Sequence, residues 1–161
     1  IDSVQSFWSI QNHLLLPSQM EQNSTLHFFK EGIKPVWEDE NNRGGGKWIF
    51  RLPPKDKYLL DHYWQNILLA CIGGTLDDSP HGDEICGVVL SKRKMGDRIA
   101  VWNRNRDVTG TVIALGHRIK AALQIGLTSD HHPTIALTYE DNEVTAKMGY
   151  CAFGTNVKYV M

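Results

Sequence analysis

No stretch of this 161-residue chain approaches the ~20 consecutive apolar residues needed for a bilayer-spanning helix, so no membrane association is expected. An excess of one charge is also missing. Seventeen Lys and Arg stand against 18 Asp and Glu, a net charge of −1. Any anion site must therefore be a local cluster rather than a property of the whole surface. Cysteines are few, and Cys71, Cys86 and Cys151 are an odd, widely spaced set. That pattern speaks against a disulfide framework and suits a reducing compartment. Neither CxxC nor HxxxH spacing occurs, and His131-His132 alone is no zinc pattern, so neither metal nor cofactor is expected. Low-complexity tracts, internal repeats and a charged-then-apolar leader are absent. The chain opens at Ile1 without Met, as a piece cut from a longer protein would. What remains is 42% apolar, and residues 1–161 are expected to form one domain with a real core.

Local patterning predicts both strands and helices. Ser3 can cap a first helix carrying Val4, Phe7 and Trp8 and fading before Pro17. Leu26 to Phe29 reads as a short extended piece, and Lys47 to Leu52 as a strand with Trp48, Phe50 and Leu52 on one face. Leu59, Leu60, Tyr63, Trp64, Ile67, Leu68, Cys71 and Ile72 follow a helical period that stops at Gly73-Gly74. Residues 85–93 and 98–102 read as strands joined at Lys94-Met95-Gly96-Asp97. A further helix over 110–126 would bury Val112, Leu115, Ile119 and Leu123. Thr134 to Tyr139 and Val157 to Met161 read as strands, with a polar tail between them. Paired strands and few amphipathic helices imply an α+β fold, an antiparallel sheet with helices on one face.

Two clusters could carry recognition. Across a four-residue loop, Arg93 and Arg98 would lie directly opposite each other. Opposed like charges destabilise a sheet, whereas a planar fork of donors on each side suits a phosphate between them. Arg98, Ala100 and Trp102 share a face, which adds a ring to the basic side. A solvated basic turn fits the same spacing. The second cluster is Trp37-Glu38. An indole can stack on a base, more strongly if the base is cationic. The adjacent carboxylate can accept from both the ring N–H and the amino group of guanine. A core Trp beside an exposed acidic turn fits equally well. Trp48 and Trp64 lie on apolar stripes and read as core.

Several stretches, in order and spacing, resemble the cap-binding translation initiation factor 4E family over nearly the whole chain. They are Val4-Gln5-Ser6-Phe7-Trp8, Phe29-Lys30-Glu31-Gly32-Ile33-Lys34-Pro35-Val36-Trp37-Glu38-Asp39-Glu40, Gly45-Gly46-Lys47-Trp48, Leu68-Leu69-Ala70-Cys71-Ile72-Gly73 and Gly96-Asp97-Arg98-Ile99-Ala100-Val101-Trp102. The resemblance implies a curved antiparallel sheet backed on its convex face by three long helices, with the 7-methylguanosine cap of mRNA in the concave face.

Trp37 then matches a stacking tryptophan, Glu38 the glutamate on the guanine edge, and Trp102 the tryptophan at the methyl group. Arg93, Arg98, Lys47 and Lys147 match positions near the phosphates. Val4, Trp8 and Leu69 match the convex docking site for an initiation factor 4G-like scaffold or a 4E-binding protein helix. Gln65 and Asn66 stand where the family has an apolar residue and a glutamate on that site. Met95 replaces an often basic residue, and the family's other stacking tryptophan belongs upstream of Val4. Tyr150-Cys151-Ala152-Phe153 extends the tail and could meet nucleotides beyond the cap.

The resemblance implies a cytoplasmic, monomeric translation initiation factor, a binder rather than an enzyme. Two other readings stay open. One is a cap-binding repressor with an altered partner surface. The other is a cap pyrophosphatase, for which Glu38-Asp39-Glu40 is the available carboxylate cluster.

Overall fold

Ser3 starts α1 (Val4–Gln11) from an extended backbone, its Oγ accepting the Ser6 N–H at 3.1 Å. Phe7 is the buried residue of this helix, Trp8 meets it edge-on at 5.2 Å, and Val4 stays 67% exposed. This computed structural model describes residues 3–79, 81–127, 134–148 and 157–161. His131-His132 and the Tyr150 to Phe153 stretch lie outside the described residues.

Among the described residues, six strands form one antiparallel sheet: β1 (Thr25–Phe29), β2 (Gly46–Leu52), β3 (Ile85–Ser91), β4 (Asp97–Asn103), β5 (Leu137–Asp141) and β6 (Val157–Val160). Their spatial order is β1-β3-β4-β2-β5-β6. Strand alternation sends Trp48, Phe50, Leu52, Val88, Leu90, Ile99, Val101, Leu137 and Tyr139 to one face, where all are buried. The long helices α3 (Leu60–Ile72) and α4 (Thr109–Gln124) cover that face together with α1. The α3 stripe inserts Leu60, Tyr63, Trp64, Ile67 and Leu68, and the α4 stripe inserts Val112, Leu115, Ile119 and Leu123. Trp48 Nε1 donates to Val112 O at 2.8 Å, so its indole is both packed and satisfied. This is the expected α+β fold, a curved antiparallel sheet with three long helices.

Two details depart from the sequence pattern, and the helix stop expected at Gly73-Gly74 is met. The acidic run contains one helical turn, α2 (Glu40–Arg43), capped by the Asp39 carboxylate. The polar tail begins with α5 (Asn142–Met148), whose first N–H groups, those of Glu143 and Val144, donate to Asp141. The α3 helix ends at Ile72, and the left-handed residue is Gly74, with φ +69°.

Candidate functional site

The other sheet face carries the side chains that point away from the helices. Register aligns Phe29, Gly87, Trp102, Lys47 and Glu140 in one row across five strands. Phe29 lies flat over Gly87, where any side chain would strike its ring, and meets Trp102 edge-on at 5.8 Å. The Lys47 ammonium lies 5.1 Å from the centre of the Trp102 ring and 3.4 Å from Asn142 Oδ1. Burial pushes the Lys47 pKa below the usual lysine value, Glu140 pulls it back up, and Arg98 pushes it down. Glu140 is 2% exposed and meets Arg51 at 3.6 Å, beyond hydrogen-bond reach. Trp102 Nε1, Thr138 Oγ1 and Glu140 Oε1 are buried with no hydrogen-bond partner among the described residues. Three unsatisfied polar atoms on one face are what a polar ligand would answer.

The basic hairpin differs from the expected pairing. Arg98 lies opposite Ser91 on β3 and opposite Arg51 on β2, not opposite Arg93. The ladder closes at Ser91–Arg98, so the connection is longer than four residues and Arg93 falls beyond it. Arg93 donates to Ser24 O, Lys92 O and Thr25 Oγ1. Lys92, next to Arg93 in sequence, is buried against Asp97 at 3.4 Å and stays off this surface. Even so, Arg51, Arg93, Lys94, Met95 and Arg98 line one recess of about 540 Å³. Opposed guanidiniums do exist here, but the second is Arg51, which sequence reasoning passed over because strand pairing is not visible in spacing.

Trp37 and Glu38 lie on the turn between β1 and α2. Trp37 is 36% exposed, and the Glu38 side chain has no hydrogen bond or ion pair among the described residues. The turn itself is tightly held. The Asp39 carboxylate accepts from Lys34 N–H, Asn41 N–H and the Asn41 amide, and these bonds hold its pKa below the usual carboxylate value. Buried Asn42 donates to Lys34 O at 2.8 Å and Val36 O at 2.9 Å. Asn142 then donates to Asn42 O at 3.0 Å. Asp39 is thus committed to capping, and no group of three His, Cys, Asp or Glu side chains placed to hold a metal occurs among the described residues. Lys147 is exposed on α5 and bonded to Glu143 at 2.6 Å.

On the helix side, Val4, Gln65 and Leu69 are exposed and Trp8 is half-buried. Asn66 turns inward, donating to Ala122 O at 3.2 Å and Ile125 O at 2.9 Å at the end of α4.

A basic sheet face carrying the rings of Phe29 and Trp102 thus lies opposite a helical layer. The family model for eukaryotic initiation factor 4E matches residues 1–150. Initiation factor 4E of Dictyostelium discoideum is 40% identical over 132 residues, covering 82% of this chain and 51% of that protein. Among solved structures, Ascaris suum initiation factor 4E-3 with an m2,2,7G cap superposes with a TM-score of 0.83 at 34% identity, covering 100% of this chain and 82% of that one. Caenorhabditis elegans initiation factor 4E-3, in complex with the 4E-binding protein Mextli and a cap analog, gives a TM-score of 0.81 at 33% identity, with 100% and 82% covered. The chain belongs to the eukaryotic initiation factor 4E family. It spans about half the length of the curated relatives it matches.

Proposed function

We propose that this chain binds the 7-methylguanosine cap of mRNA on its open sheet face, as a single domain, and presents its helical face to a scaffold helix in translation initiation. The observation that carries this reading is the Trp37-Glu38 pair: an exposed ring and an uncommitted carboxylate on a turn pinned by Asp39 and Asn42. Trp37 stacks on the methylated base, and Glu38 accepts from the guanine edge. Trp102 stands at the methyl group. Arg93, Arg98, Lys47 and Lys147 supply cations for the phosphates. Solved relatives bound to cap and to a 4E-binding protein support both halves of the reading. Val4, Trp8 and Leu69, with Gln65 and Asn66 at the edge, form the docking side. Binding of this kind needs no catalytic group and no cofactor, and the proposed role in translation initiation implies a cytoplasmic protein.

Tryptophan-fluorescence quenching tests this directly. The methylated guanosine triphosphate should bind roughly 2- to 30-fold tighter than the unmethylated one, from the charged stack. Equal affinities would remove the cap reading. Trp37→Ala should weaken the methylated ligand by roughly tenfold or more, and Glu38→Gln should reduce discrimination for guanine.

The inward turn of Asn66 favours a second reading, a cap-binding repressor. Its amide is spent on α4 carbonyls, so the docking side lacks one polar anchor. Pull-down with a scaffold-derived helix separates the two: retention supports the initiation factor, and loss of scaffold with cap binding intact supports the repressor.

A further inference from the structure

Arg51 lines the basic recess, and the sequence pattern assigned it no role. Register holds it directly opposite Arg98, an arrangement that costs a sheet stability unless an anion is shared. Its side chain is 45% exposed and lines the same recess as Arg93, Lys94 and Arg98. Glu140 is the single acid paired with it, at 3.6 Å, and among the described residues the Arg51 guanidinium donates no hydrogen bond. The fork of donors is therefore open. Glu140, beside Arg51, and Arg98, opposite it, both act on Lys47.

Resting on the cap-binding reading above, we propose that Arg51 is a phosphate-binding residue of this site, gripping the polyphosphate together with Arg98. Its planar fork binds two phosphate oxygens, and the bound anion relieves the Arg51–Arg98 repulsion. Glu140 keeps the guanidinium laid along the face until the anion arrives.

The test measures calorimetric binding of inorganic tripolyphosphate, 7-methyl-GMP and 7-methyl-GTP to the wild type, Arg51→Met and Arg51→Lys, over a salt series. Arg51→Met should weaken tripolyphosphate and 7-methyl-GTP by roughly five- to tenfold and reduce the salt slope by about 0.7, while leaving the monophosphate unchanged. Arg51→Lys keeps a cation beside Glu140, so it should fold as the wild type, retain the slope and lose part of the affinity. Wild-type affinities in Arg51→Met would overturn the proposal, and so would an equal loss for all three ligands, which marks a general disturbance of the face. If the wild type fails to prefer 7-methyl-GTP over GTP, the cap reading falls, while the tripolyphosphate series still judges Arg51.

Discussion

At the scale of single residues, the turn that presents Trp37 and Glu38 depends on Asn42. Its buried amide satisfies Lys34 O and Val36 O, two carbonyls with no partner in a regular ladder. Asn42→Ala removes one donor from each, leaving Val36 N–H on Lys34 O and Asp39 N–H on Val36 O, and should cost about 1–2 kcal/mol, read as a lower melting temperature together with weaker cap binding. Wild-type cap affinity in that variant would show that the turn holds itself. The thiols allow a second check. Burial pushes Cys86 up to about 11 and Cys71 up to about 12, from an ordinary 9.0. Alkylation at these sites in the folded protein, followed by peptide mapping, should stay slow at pH 9 and accelerate only near those values. A raised thiol pKa means that the unfolded chain ionises first. The contribution of Cys86 to stability is thus complete below about pH 9 and is lost as pH climbs toward about 11. Trp37, Trp102 and Arg98 were legible in the sequence because an aromatic beside a charge is itself a signal. Asn42, Arg51 and Glu140 were not. Nothing in a lone Asn or Glu announces that folding will bury it, and Arg51 acquires its meaning only from a strand distant in sequence.

Among elements, the long helices and central strands were readable because their apolar periods of 3.6 and 2 are long enough to stand out. The short helices α2 and α5 have no such stripe. Each is started by one carboxylate, Asp39 or Asp141, accepting the first free N–H groups. The hairpin misreading has a related cause. Arg93 continues the extended pattern of β3, but its backbone N–H donates to Asp97 at 3.0 Å, folding the chain into the connection two residues earlier than the pattern suggests. Gly96 completes that connection with φ +125°. The contact between β1 and β3 gives an element-level prediction. Gly87→Ala pushes a methyl group into the Phe29 ring, which must shift and disturb its edge contact with Trp102. Destabilisation of about 1–3 kcal/mol is expected, with a matching loss of methyl-dependent cap discrimination. An unchanged preference for the methylated ligand would disconnect Phe29 from the site.

For the whole molecule, the sheet separates the two proposed functions. Trp102, Lys47 and Arg98 occupy one face, and the helices carrying Trp8 and Leu69 cover the other. Trp8→Ala should therefore abolish capture of a scaffold helix while leaving cap quenching unchanged, and Trp37→Ala should do the reverse. A variant that loses both activities with its melting temperature intact would contradict this separation. With a net charge of −1, only the local cations attract phosphate, so cap affinity should fall steadily as salt rises.

The junction of Asn42 with Asn142 has a consequence in time as well as in space. Asn142 donates its side-chain amide to Asn42 O and its backbone N–H to Gly45 O, while Arg106 ties Gly44 O to Asp141 and Glu143. The turn bearing Trp37 and Glu38 and the helix bearing Lys147 are thereby bolted to one another across a hundred residues of chain. In hydrogen–deuterium exchange, the amides of Asn42, Arg43, Gly45 and Asn142 should open as one cooperative unit rather than as two independent loops. A cap that orders the turn would then slow exchange in the distant helix as well.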